Sequence, residues 1–270
     1  RRDVFLVSNP FLSSIPSTIP PTATPSPTPI SGRPLTMELV SVAPDGTMGN
    51  GSANWASLSA DGRFVAFASD AANLVPNDTN DVMDVFVRDR LTGKTTRVSV
   101  ASDGSEANAE SSVDGPPAIS ADGRYVFFYS QATNLVSGLT GIFLHDRQTG
   151  ETNHIIRGGN PAISADSRFV AFTSNASDLV PGDTNGRPDV FVYDRQTSEI
   201  SRVSVASDGS EADNDSWLPS ISADGRFVAF ISWSSNMTPD SLPGIISGYV
   251  HDRLTGETTL IAADSDGVRT

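Results

Sequence analysis

The chain has 270 residues, 37% hydrophobic and 19% charged, with 32 acidic against 18 basic side chains and a formal charge of −14. That balance argues against phosphate backbones and anionic membrane surfaces, so neither nucleic acid nor membrane insertion is expected. No apolar run approaches the roughly 20 residues that span a bilayer, and the absence of cysteine removes disulfides and thiolate metal sites.

Its start at Arg1-Arg2-Asp3 fits a processed end and an excised piece alike. Residues Asp3-Val4-Phe5-Leu6-Val7 read as a strand, because they match Asp84-Val85-Phe86-Val87 and Asp189-Val190-Phe191-Val192 further on. In the later copies that strand runs into an Asp-Arg-x-Thr-Gly turn or its variant, then a second strand. Here residues 9–35 intervene, rich in Pro, Ser and Thr and low in charge, a composition that favours extended chain over a packed core. Glu38–Asn50 (ELVSVAPDGTMGN) then matches Thr96–Asn108 (TRVSVASDGSEAN). The expected organisation is a strand arm over 1–8, a linker over 9–35 and a repeat domain over 36–270. Fully extended, the linker reaches on the order of 80 Å, against about 45 Å for the diameter of a compact domain of the remaining size. The arm can therefore fold back on its own domain or pair with a neighbouring subunit.

The repeats turn on one phrase, Ser59-Ala60-Asp61-Gly62-Arg63-Phe64-Val65-Ala66-Phe67, which returns at Ser120–Phe128, Ser164–Phe172 and Ser222–Phe230. Its aspartates lie 61, 44 and 58 residues apart, a period that signals stacked or radial repeats. Asp-Gly marks a hairpin turn, and Ser167, replacing glycine in the third copy, is costly if the position needs positive φ. In each copy a short segment precedes the turn (56–59, 117–120, 161–164, 219–222) and an apolar strand follows it. A third strand is expected at 84–88, 141–145, 189–193 and 246–250, and a fourth at 95–100, 151–156, 199–205 and 257–261. Four strands per repeat without helical periodicity point to an all-β propeller. The count is four complete four-stranded blades plus an N-terminal two-strand partial blade, whose edges need covering or pairing.

At these residues the chain resembles the TolB-like, WD40-like propeller repeats called PD40, with Ala60, Ala121, Ala165 and Ala223 in place of the family's usual proline. The resemblance covers about 36–263 and implies the fold. Such propellers serve as binding platforms, scaffolds and attached domains of peptidases, so it leaves the function open.

Two loops share Asp-x-Asn-x-x-x-Asp: Asp78, Asn80 and Asp84 in the first repeat, Asp183, Asn185 and Asp189 in the third. Alternating Asp and Asn can supply oxygens to Ca²⁺, and the same residues favour turns with no ion present. Asp213, Asn214 and Asp215 in the loop before the fourth repeat offer further oxygens. His145 and His251 share a position with Arg88 and Tyr193, which reads as solvent-facing. Trp55 and Trp217 precede innermost strands, suiting core packing or a ligand-binding face. The recurrent Asp-Arg pairs read as fixing turns or linking blades. Sequons at Asn50, Asn77, Asn175, Asn214 and Asn236 agree weakly with export. No nucleophile elbow or credible Ser-His-Asp relay is present, so no catalytic residue is assigned.

The leading expectation is a non-enzymatic, extracellular or cell-surface structural propeller that self-associates, in a fibre or ring, through the arm Asp3, Val4, Phe5, Leu6 and Val7. The alternatives are a binding module for a protein or glycan partner and, third, the propeller domain of a larger hydrolase.

Overall fold

The computed structural model describes residues 5–7, 37–113 and 115–261, with side chains from 37 onward. The linker 9–35 and arm residues Asp3 and Val4 lie outside them. All regular structure among the described residues is β-strand, and no helix is long and apolar enough to cross a membrane.

Four antiparallel sheets of four strands follow one another along the chain. Blade one is β3 (Ala53–Leu58), β4 (Phe64–Ser69), β5 (Asp84–Asp89) and β6 (Lys94–Arg97), and blade two is β7 (Ala118–Ile119), β8 (Tyr125–Ser130), β9 (Gly141–Asp146) and β10 (Thr152–Ile156). Blade three comprises β11 (Gly159–Ile163), β12 (Phe169–Ser174), β13 (Asp189–Asp194) and β14 (Glu199–Arg202); blade four comprises β15 (Ser216–Ile221), β16 (Phe227–Ser232), β17 (Ser247–Asp252) and β18 (Thr258–Leu260). A separate two-stranded sheet joins β1 (Phe5–Val7) to β2 (Met37–Leu39) of the same chain, with Phe5 opposite Leu39 and Val7 opposite Met37.

The repeated phrase is the turn between the first two strands of each blade. In blade one the Asp61 carboxylate accepts hydrogen bonds from Ser59 Oγ (2.6 Å) and the Arg63 amide, and Ser59 Oγ accepts from the Phe64 amide at 2.9 Å. The turn thereby satisfies its own polar groups locally. It then throws a guanidinium across the sheet: Arg63 Nε and Nη2 bind both oxygens of Asp89 at 2.9 and 2.7 Å. Arg124–Asp146, Arg168–Asp194 and Arg226–Asp252 repeat this bidentate pair, a geometry that fixes direction as well as distance. Arginine hydrogen bonding holds these aspartates well below the usual carboxylate range, Asp146 and Asp194 at about 2.

The inner strands begin differently from the expectation. Trp55, Asn160 and Leu218 adopt φ of 49°, 53° and 53°, each within a register shift of its inner strand. Such a bulge breaks the two-residue alternation by which a strand is recognised in sequence. Three of these strands therefore start two or three residues earlier than the alternation suggests.

Blades stack through their alternating apolar faces. Ala66 and Val87 of blade one pack with Ile119, Val126 and Phe128 of blade two. Phe127 and Leu144 meet Val170, Phe172 and Phe191 of blade three, and Ala171 and Val192 meet Val228, Phe230 and Tyr249 of blade four. Within blades, aromatic pairs bridge the two central strands, as at Phe67–Phe86 (5.8 Å between centroids).

The Asp-Arg pairs do both jobs proposed for them. Asp89 anchors the next turn through the Leu91 amide, while Arg147 and Arg253 stack over Phe64 and Phe169 of the preceding blade at 4.4 and 4.3 Å. A second latch recurs at the outer edge, where Thr152 and Thr258 Oγ1 donate to the Val100 and Val205 carbonyls of the preceding blade at 2.5 and 2.6 Å. Thr95 makes the corresponding bond to Val42, which follows β2, at 3.4 Å, and Arg90 pairs with Glu38 at 2.7 Å. The segment that follows β2 thus meets blade one through the threonine latch that elsewhere joins whole blades, and β2 itself adds the Glu38–Arg90 pair.

Ser167 has φ of 59°, where Gly62, Gly123 and Gly225 have 67° to 73°. A side chain in this region costs roughly 1 kcal/mol or more, offset in part by the greater backbone freedom of glycine when unfolded. Ser167→Gly is expected to raise unfolding stability by about 0.5 to 1 kcal/mol in urea titrations, whereas Gly123→Ser is expected to lower it.

Candidate functional site

The two Asp-x-Asn-x-x-x-Asp loops lie between the second and third strands of blades one and three. Each brings its predicted residues together, around a side chain that the sequence analysis leaves out. In blade one this is Arg97, whose Nη1 lies 3.0 Å from Asp78 and 3.2 Å from Asp84, and whose Nη2 lies 2.5 Å from Glu106. Nη2 also donates to the Asn77 carbonyl at 3.1 Å. In blade three Arg202 Nη1 faces Glu211 at 2.7 Å and Asp183 and Asp189 at 3.4 Å each.

Most of the remaining polar atoms are committed as well, whereas Arg97 Nε, Arg202 Nε and Asp183 Oδ1 are buried without a hydrogen-bond partner among the described residues. Ser99 Oγ donates to Asp84 at 2.5 Å, and Thr79 donates to Glu106 through its amide and hydroxyl. Asn80 directs its amide nitrogen to Asp84 and the Ala107 carbonyl, and its oxygen accepts from the Val82 amide. Asn185 repeats these roles with Asp189, Ala212 and Arg187. Both asparagines thus serve as loop braces, with their oxygens turned to backbone amides.

Each cluster sets three carboxylates against one guanidinium in a low-exposure site. Burial and the neighbouring Asp84 push the Asp78 carboxyl up to about 6. Burial likewise raises Asp84, Asp183 and Asp189. Glu106 and Glu211 go down, held by their threonine and arginine partners against the opposing effect of burial.

One signal for the arginines is present in the sequence. Position 97 is arginine again at 202, but histidine (His154) in blade two and leucine (Leu260) in blade four, the two blades without the acidic motif. Charge and countercharge appear and disappear together along the repeats.

His145 and His251 correct the expectation of solvent-facing residues, since both are only 6% exposed. Their Nδ1 atoms lie 2.9 Å from Thr152 and Thr258 Oγ1, the hydroxyls that already donate to the preceding blade. Each hydroxyl can then only accept, so Nδ1 carries the proton. Burial pushes His145 down to about 4 and lowers His251, which keeps them neutral. His154 contacts the Thr140 carbonyl at 3.0 Å through Nε2. Trp55, expected to pack, is instead 45% exposed, whereas Trp217 meets Trp233 edge to face at 5.3 Å. Asp213 accepts from Ser234 and Ser235, and Asp215 faces Arg187 at 3.5 Å.

No protein-family model and no curated protein matches the chain. Among solved structures it is similar to TolB from Acinetobacter baumannii, with a TM-score of 0.54 and 16% identity over 84% of this chain and 48% of that one. The putative TolB from Agrobacterium tumefaciens gives a TM-score of 0.52 and 16% identity over 85% of this chain and 70% of its own. The fold is that of the TolB-like β-propellers. The propeller domain of the Trilobed protease from Pyrococcus furiosus is also similar, with a TM-score of 0.50 and 12% identity over 86% of this chain and 61% of that one. The chain spans about half the length of the first of these structures, and at such identities the likeness concerns the fold.

Three measurements test the acidic loops. Arg97→Met leaves buried carboxylates without their countercharge and is expected to cost about 3 to 5 kcal/mol. In blade three, Asp183, Asp189 and Glu211 bring carboxylate oxygens within 4.8 Å of one another, close enough to share a cation; a melting temperature that falls on adding chelator would assign this loop to Ca²⁺, and an unchanged one would leave it to Arg202. The raised Asp78 pKa sets a pH dependence. The folded state holds an extra proton between 3.8 and about 6, so this contribution to stability is lost as pH rises through that window. Asp78→Asn is expected to flatten the stability profile there.

Proposed function

We propose that the protein is a non-enzymatic, exported structural propeller whose copies join head to tail, with the N-terminal strand exchanged between them. The observation that carries this reading is the face of blade four, which the described residues leave uncovered. Ala66, Phe127 and Ala171 are each fully buried beneath the following blade, and so, nearly, are Val87, Leu144 and Val192. Their counterparts in blade four, Ala229 and Val250, are only half-buried. Phe227 is 39% exposed, where Phe64 and Phe169 lie under the arginine and glycine turn of the next blade.

At the other end, β2 and the residues after it meet blade one through Glu38–Arg90 and the Val42–Thr95 latch. A second copy can seat its β1–β2 sheet against Phe227 and Val250, burying the apolar face that every internal junction buries. The three-residue pairing of β1 with β2 spans residues 8–36, long enough for the strand to come from its own chain or from a neighbour. Such a contact is heterologous, and its repetition builds a filament or closes a ring.

Light scattering against protein concentration tests the assembly. The parent is expected to gain mass with concentration, while deletion of residues 1–36 and, separately, Phe227→Glu are expected to weaken association at least tenfold. A parent that stays monomeric throughout, or variants that associate like it, would overturn the reading.

A further inference from the structure

The 44-residue spacing between the second and third repeat phrases has a structural consequence at the junction of blades two and three. The connection from blade one to blade two and that from three to four each run a dozen or more residues, and each ends with a serine. Ser111 and Ser216 donate their amides to the Met83 and Pro188 carbonyls, and their hydroxyls meet Ser130 and Ser232 at 2.9 Å. Between blades two and three the chain passes from Ile156 to Gly159 directly. Gly158 stands at the serine's place, one residue before Gly159, which pairs with Thr173. A Cβ there would lie 2.6 Å from the Phe172 ring and 2.7 Å from the Thr173 carbonyl, so the short connection admits only glycine.

The missing loop leaves a cleft of about 540 Å³, lined by Tyr129, Thr140, Arg157, Asn160, Thr173 and Asn175 among others. Small-molecule sites fall in this size range. Two residues of its lining carry a side-chain oxygen that is buried without a hydrogen-bond partner among the described residues: Asn160 Oδ1 and Thr173 Oγ1. Buried polar groups are nearly always satisfied, and leaving two unpaired beside one cavity is costly. Asn160 is also the blade's bulge residue, held at φ of 53° where blades one and four place Trp55 and Leu218. Strained backbone, unsatisfied acceptors and an open volume coincide at this one junction.

We propose that this cleft binds a neutral carbohydrate. The unpaired oxygens call for a ligand rich in hydroxyls, which both donate and accept. An anionic ligand is disfavoured, because the one cation in the lining, Arg157, is already paired with Asp178 at 2.5 and 2.6 Å. The half-buried Tyr129 ring offers an apolar surface for the C–H face of a sugar, beside Gly159, where a Cβ would meet nothing nearer than that ring at 3.9 Å. This site is independent of the uncovered face of blade four.

The test uses full-length protein from a host without N-glycosylation, so that Asn175 is bare. Fluorescently labelled protein is applied to an array of neutral glucans, mannans, galactans and N-acetylhexosamine oligosaccharides, with uronate and sulfated glycans as charged arms. The strongest neutral binder is then titrated calorimetrically against the parent, Asn160→Gly, which keeps the positive φ accessible, and Thr173→Val, which keeps the shape of the side chain. The expected result is retention of neutral glycans, a Kd raised at least tenfold in each variant, and a glycan-induced rise in melting temperature in the parent alone. Unliganded Thr173→Val is expected to melt no lower than the parent, which serves as the folding control. Absence of any neutral binder, binding confined to the charged glycans, or equal affinity in parent and variants would overturn the proposal.

Discussion

The bidentate arginine–aspartate pair, Arg63–Asp89 and its three copies, is the constraint on which the blades depend. It ties the turn between the first two strands to the far end of the third, so it sets the register of the sheet's centre. The aspartate anchors the next turn, and the arginine that follows it reaches back to the preceding blade. One dipeptide therefore fixes a sheet internally and orients it against its neighbour. Four repetitions give four sheets with nearly the same stacking geometry, as the recurrent apolar clusters show. Because arginine and carboxylate meet in a planar fork, lysine at these positions would keep the charge and lose the direction.

Departures from that regularity are where the molecule differs from a plain stack. Blades one and three add an acidic loop closed on an arginine, and blades two and four do without both. Between blades two and three a loop is absent, and a cleft with unsatisfied polar atoms takes its place. Blade four presents the face that the other three bury. Each feature belongs to a particular blade, so whatever acts through them has a defined position on an otherwise repetitive surface.

The electrostatic character follows from the same arrangement. The bidentate aspartates are stabilised as anions by partly exposed arginines, and their contribution is lost as pH falls through the acid range. The loop aspartates around Arg97 and Arg202 behave in the opposite sense, because burial and the neighbouring carboxylates outweigh a single shared cation. A strongly acidic protein thus carries two populations of carboxylates with opposed pH responses. The buried, neutral His145 and His251 lie outside both, locked to the threonines that join blades.

The sequence by itself determined the all-β class, the number of complete blades, the turn between the first two strands of each blade and the surplus outer strands at the N-terminus. These follow from chemistry that acts over a few residues: Asp-Gly turns, two-residue alternation and repetition of one phrase. Even the paired presence of Arg97 and Arg202 with their acidic loops was legible once the repeats were aligned. Tertiary structure alone decided what depends on partners dozens of residues away. It turned His145 inward beneath a threonine hydroxyl, exposed Trp55 at a bulge that alternation cannot reveal, and set a guanidinium among the carboxylates of the two Asp-x-Asn-x-x-x-Asp loops. It also made a cleft out of a short connection, because a deletion in sequence becomes a volume only when the neighbouring blades are held apart by their own packing.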